Sequence, residues 1–283
     1  MFPQVAAQQQ CKFNKPESAN MVSGVTTWSI TQNGRYEPFE FQVARGQITG
    51  HIAITVFGYN ADIDTDEETI WPYGGIQPHP ATALSMKVSS DDADDNATGN
   101  GARTVFVEGL DADYNSISET VILNGQTAVL TVNSYLRINE AYVASAGTSN
   151  GAEGDIYFGT GNVTAGVPAT VYDIIKFNYN TRVTGHYTVP AGYTAYMDAG
   201  SITVGQTGTS NPVSGRLVVT GTNNIRINKA IVTLNTGNVP YPFLFPLQIP
   251  EKTDIEAVGQ GGGTNNRMSS YFNIVLVKND GAL

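Results

Sequence analysis

The sequence predicts an all-β protein: two comparable β-sandwich, jelly-roll-like halves behind an extended N-terminal arm. Three observations carry this expectation. Short alternating runs of apolar and polar residues recur at roughly 8–12-residue spacing, separated by Gly, Pro, Asn and Asp, as in sandwiches and barrels. No stretch sustains the i, i+3, i+4, i+7 pattern of an amphipathic helix behind a credible cap. Finally, the octet at 136–143 returns at 225–232 with Arg, Ile, Asn, Ala and Val in register, which places two similar strands in two similar bodies.

The elements follow in order. Residues 1–35 are polar and irregular, with Gln8-Gln9-Gln10 and the turn pair Asn33-Gly34, and read as an arm laid on a neighbouring subunit. The first sandwich is expected over 36–165. Phe39, Phe41 and Val43 alternate with Glu40 and Gln42, and Ile52, Ile54 and Val56 alternate with Ala53 and Thr55, so both runs read as strands. A loop at 61–81 leads to a strand at 83–89 and then to an acidic segment at 90–101, expected to be exposed. Residues 102–158 read as a compact β unit, with Asn124-Gly125 as its hairpin turn. The Gly-rich stretch 159–170 looks like a boundary, and the second sandwich is expected over 166–283.

Composition bounds the function. The chain has 283 residues, 41% hydrophobic and only 14% charged, against about 25% charged in an ordinary soluble domain. Uncharged polar and aromatic residues fill the gap, which suits turn-rich strands and surfaces that pack without charge repulsion. The net charge of -10, from 25 acidic and 15 basic residues, argues against a sequence-independent grip on nucleic acid. Cys11 is the single cysteine, so neither an intrachain disulfide nor a thiolate zinc site is expected. Neither a signal peptide nor an apolar run of about 18 residues is evident, so a soluble chain with no membrane partner is expected.

Candidate chemistry is sparse. Asp111, Asp113, Asn115 and Glu119 have the alternating oxygen ligands that open a calcium loop, but Ser116 stands where Gly belongs and Ile122 where the bidentate Glu belongs. An Asx turn explains the run equally well. Acidic runs at 62–68 and 91–95 read as solvated loops. His51, His79 and His186 are scattered, and no Gly-x-Ser-x-Gly elbow or phosphate loop is present. No enzyme, and no cofactor beyond calcium, is therefore expected. The segment 239–246 places three prolines among aromatics and cannot be a central strand. Tyr241, Phe243 and Phe245 are its candidate interface residues.

Several motifs resemble uncharacterised structural proteins of tailed bacteriophages of the aquatic and cyanobacterial type. They are Phe39 to Ile48 with Phe57-Gly58-Tyr59-Asn60 and Thr69-Ile70-Trp71, Ala102 to Asp111 with Ile117 to Val121 and Leu123-Asn124-Gly125, and Phe245-Pro246-Leu247 with Pro250 to Ile255. The resemblance spans roughly 36–278 and implies a virion component, self-associated as a trimer or higher symmetric oligomer and contacting the major capsid protein or tail proteins. A head decoration (cement) protein is the leading expectation. A tail or neck adaptor is the alternative, and a host-glycan-binding module using Trp28, Trp71 and the 14 tyrosines as stacking platforms is a third. The family offers no catalytic residue to carry over.

Overall fold

Period-2 alternation of apolar residues dictates strands that bury one face each, and strands dominate the fold. The computed structural model describes residues 37–206 and 211–279. The expected arm, Trp28 and Cys11 lie outside them. After the short helix α1 (Phe39–Ala44) come β1 (His51–Ile63), β2 (Glu68–Thr69), β3 (Leu84–Ser90), β4 (Ala102–Leu110), β5 (Ser116–Ile122), β6 (Val129–Tyr135), β7 (Arg137–Ala146), β8 (Ile156–Thr164) and β9 (Val167–Ile175). The chain continues through β10 (His186–Thr188), β11 (Tyr193–Gln206), β12 (Val213–Thr220), β13 (Arg226–Leu234), β14 (Gly237–Ile249), β15 (Asp254–Gly261) and β16 (Asn266–Lys278).

These strands build two antiparallel sandwiches. The inner one faces sheet β6-β3-β8-β9 against sheet β5-β4-β7 around Val88, Val105, Tyr135, Ile156 and Phe158. The outer one faces sheet β1-β16-β11-β14 against sheet β10-β15-β12-β13, with β2 also on β15, around Met197, Leu217, Ile255, Phe272 and Ile274. Sandwich membership departs from the division expected at residue 165. β1 pairs along its length with β16, from His51 opposite Val277 to Ile63 opposite Asn266. The inner sandwich is thus an insertion between β2 and β10.

Three local expectations are corrected. Residues 39–44 form a helix rather than a strand: the Phe41 and Gln42 amides donate to the Pro38 carbonyl, and the adjacent Gln42 and Val43 are both buried, which no alternating strand allows. Asn124-Gly125 does not turn a hairpin, because β5 pairs with β4 while β6 pairs with β3 in the facing sheet. It arches between sheets, with Gly125 at φ 59° and its amide on the Asp95 carbonyl. The stretch 159–170 is no boundary either but the β8–β9 hairpin, turning at Ala165 and Gly166.

Candidate functional site

The two copies of the repeated octet open β7 and β13, each an edge strand of its sheet. Each copy carries a bulge: Asn139 is skipped in the pairing of β7 with β4, and Lys229 in the pairing of β13 with β12. Their surroundings differ. The β7 copy is covered by the outer sandwich, and Leu136, Ile138, Asn139 and Ala141 are buried. The β13 copy has no such cover, and Ile225, Ile227 and Ile231 are exposed, Ile231 at 64%.

Beside β13 runs β14, the edge strand of the facing sheet. It has no Asp, Glu, Lys or Arg. Its pairing with β11 steps from Leu247 opposite Met197 to Pro242 opposite Ala199, so Phe243, Leu244, Phe245 and Pro246 bulge out against the single residue Asp198. Leu244 is 90% exposed and Phe245 82%. The three prolines remove amide donors, so another strand cannot add a continuous ladder here and contact must come through side chains. Tyr241 turns the other way: its ring lies over Gly200, where a Cβ would sit 2.2 Å from Cε2, and packs on both cores of the outer sandwich. Burial raises the Tyr241 phenol above its ordinary value, with Tyr271 adding to the effect. Phe243 packs edge-on to Tyr241 at 6.0 Å. Of the three interface candidates, Phe245 therefore points outward, Phe243 is half-buried and Tyr241 anchors the bulge. Sequence reasoning missed Leu244, although its place between two aromatics and two prolines was visible.

A second constellation sits where the sandwiches meet. Asp254 on β15 accepts two hydrogen bonds from Arg137 of β7, at 3.0 and 2.9 Å, and one from the Thr188 hydroxyl at 2.6 Å. The His186 Nε2 lies 3.4 Å from the same carboxylate, and the His79 ring packs on His186 at 4.3 Å. Burial opposes ionisation of Asp254, but the His186 contact and charge, followed by those of Arg137, hold it far below the usual carboxylate range. Alongside, the buried Arg182 donates to Asp173 at 2.5 Å and to the carbonyls of Asn139 and His186. Asn139 holds the Thr188 amide and carbonyl, both at 2.9 Å. These residues clamp the inner sandwich onto the outer one.

Next to the clamp is a cavity of about 440 Å³ between β1, β7 and the 181–184 segment, reached by Glu108 and Glu140. These carboxyls are cross-strand neighbours. Burial raises both; for Glu140, Arg182 and the Ala141 amide pull back while Glu108 and Asp173 push further up.

The calcium candidates do not converge. Asp111 Oδ1 accepts the Asp113 and Asn115 amides, both at 2.9 Å, which makes an Asx turn. Against a desolvation effect, the bonds from Asn115 and Asp113 lower the Asp111 pKa. Asp113 is exposed, while Glu119 on β5 instead accepts the Val132 and Asn133 amides of β6 and the Tyr135 hydroxyl. In the 62–68 run, Glu67 engages Arg216 and Arg226, and Glu68 accepts the Asp64 and Gly75 amides. The 91–95 run is not simply a solvated loop: Asp95 is fully buried and accepts four hydrogen bonds. No group of three or more His, Cys, Asp or Glu among the described residues is arranged to hold a metal. Trp71 offers no sugar platform, since it is 1% exposed with its indole N–H donating to the Gly74 and Gly75 carbonyls.

No family model matches the chain, and no curated protein matches it. Among solved structures, it is similar to the VP2 subviral particle of infectious bursal disease virus, at 10% identity over 82% of this chain and 73% of that one, with a TM-score of 0.23. The Gt strain structure of the same virus gives 10% identity over 87% and 79%, with a TM-score of 0.21. T=1 particles derived from infectious bursal virus are covered over 70% of their chain at 11% identity and a TM-score of 0.22. Likeness this slight carries no argument about role.

Proposed function

We propose that this chain is a non-enzymatic structural component of a tailed-phage virion, a head decoration protein whose copies bind one another and the capsid through the β13–β14 edge. The observation that carries the reading is that edge. Leu244 and Phe245 stand almost fully exposed on a charge-free strand, and the neighbouring β13 exposes Ile227 and Ile231, with Ile225 exposed just before it. Clustered apolar exposure of this kind marks an interaction surface. The resemblance of several motifs to phage structural proteins supports the virion assignment. So does the use of buried Arg182 and Asp173, with Arg137 and Asp254, to hold two sandwiches together. A standard interface buries about 1,600 Å², and symmetry multiplies it over a shell, so modest contacts per copy suffice to resist internal pressure.

Quantitative mass spectrometry of purified particles tests this reading. A decoration protein is present in a copy number comparable to that of the major capsid protein. Three or six copies per particle would instead assign it to the tail or neck, and absence from the particle would remove the proposal.

A further inference from the structure

The clamp between the sandwiches holds two of the chain's three histidines, stacked on one another inside a cluster of fixed charges. We propose that this seam is an acid-sensitive latch: it is closed while His79 and His186 share at most one proton, and it loosens when both rings are charged.

The geometry supplies the coupling. His79 comes from the connection between β2 and β3, and His186 from β10. Around them stand Arg137 from β7, Asp254 from β15 and Arg182 from the connection between β9 and β10. Glu256, the cross-strand neighbour of His186, is already engaged by Thr69 and Arg226. Asp173 is taken by Arg182, Thr184 and Gln77. With both rings neutral, Arg137 and Arg182 balance Asp254 and Asp173. Asp254 can compensate a first proton on His186, whose Nε2 it faces. A second proton on His79 meets His186 at 4.3 Å between ring centres, and no carboxylate in the cluster remains free to answer it. His186 Nδ1 and Arg182 Nη2 are moreover buried without hydrogen-bond partners among the described residues, so neither has a contact through which added positive charge could be relieved.

Burial first, then the charges of His186 and Arg137, hold His79 well below the usual histidine value against the pull of Asp254, with a further push from Arg182. The sign follows. A histidine lowered in the closed form contributes stability that is complete above its open-state value near 6.5 and is lost as pH falls from there toward the lowered value. One linked proton changes the opening equilibrium by up to about tenfold per pH unit, or about 15-fold between pH 6.5, where the open-state ring is already half-protonated, and pH 5.0.

The test is hydrogen exchange on the full chain, read as protection factors at the seam amides of Arg182, bonded to the Ala141 carbonyl, and Thr188, bonded to Asn139. Wild type and the control variant His51→Gln are expected to lose about 15-fold protection between pH 6.5 and 5.0, while His79→Phe, which keeps a ring but cannot titrate, stays flat. A flat wild type, or a His79→Phe variant with the wild-type slope, overturns the latch. Should His79→Phe fail to fold, the ring resonances of the wild-type histidines decide. A His79 midpoint well below 6.5 that tracks the loss of protection supports the latch, and one at or above 6.5 overturns it.

Discussion

Replacing Asp95 by Asn changes one atom in the inner sandwich, and the structure sets what it should cost. Oδ1 accepts the amides of Ala102 and Glu153 at 2.7 and 2.9 Å, while Oδ2 accepts the Ser90 hydroxyl at 2.6 Å and the Gly154 amide at 3.0 Å. The side chain is fully buried, so no water can substitute. An asparagine keeps the first pair but turns an NH₂ toward the second. The Ser90 hydroxyl can rotate, but the Gly154 amide cannot, and a buried donor without a partner costs about 1–3 kcal/mol. The two retained bonds also lose their charge assistance, at about 0.5–1.5 kcal/mol each. The expected loss is about 2–6 kcal/mol, a large share of the roughly 5–15 kcal/mol that holds an ordinary domain. Urea unfolding followed by circular dichroism should show a lower midpoint with an unchanged slope. The exposed neighbour variant Asp94→Asn should stay within about 0.5 kcal/mol of wild type. An Asp95→Asn loss below about 1 kcal/mol, or one equal to that of Asp94→Asn, would refute the reasoning.

Further outcomes follow from the same contacts. Leu244→Ser with Phe245→Ser should leave monomer stability within about 0.5 kcal/mol, yet weaken self-association by about 3–6 kcal/mol, since each buried side chain is worth about 1.5–3 kcal/mol; analytical ultracentrifugation reads the change, and unaltered association would count against the edge. Arg137→Met leaves Asp254 without its bidentate guanidinium partner and should cost about 3–5 kcal/mol, with Arg137→Met plus Asp254→Leu recovering much of it in the same urea assay. Glu108→Gln relieves a cross-strand like-charge pair and should stabilise the protein by a few tenths to about 1 kcal/mol at pH 8. That gain should shrink as pH falls toward the carboxylate range, because a carboxyl raised in the folded state takes up its proton at higher pH than in the unfolded chain and wild type then neutralises itself. A gain that grows as pH falls would reverse the assignment.

Much of the architecture was legible in the chain because strand periodicity is local. β1 and β3 lie where alternation put strands at 52–56 and 83–89, β4 to β7 fill the stretch 102–158 expected to be a β unit, and the octet repeat marked two edge strands that begin at Arg137 and Arg226. What local pattern cannot encode is which strands pair. Nothing in residues 51–63 announces β16 as their partner more than 200 positions on, so the insertion of one sandwich into the other was invisible. Asn124-Gly125 misled for the same reason: the dipeptide specifies a tight turn, not whether the next strand stays in the sheet. The alternating Phe39 and Phe41 imitated a strand because six residues are too few to separate period 2 from period 3.6. Site residues divided likewise. Proline density marked β14 as an edge, but which aromatic turned inward depended on Gly200 of another strand. The seam histidines, 107 positions apart in sequence, carried no spacing signal at all.

Cryo-electron microscopy of the intact particle tests the central claim most directly. The account predicts density for two joined sandwiches repeated over the head surface, with Leu244 and Phe245 of each copy buried against a neighbouring subunit. A head map without this protein, or one in which the β13–β14 edge faces solvent in every copy, would contradict it.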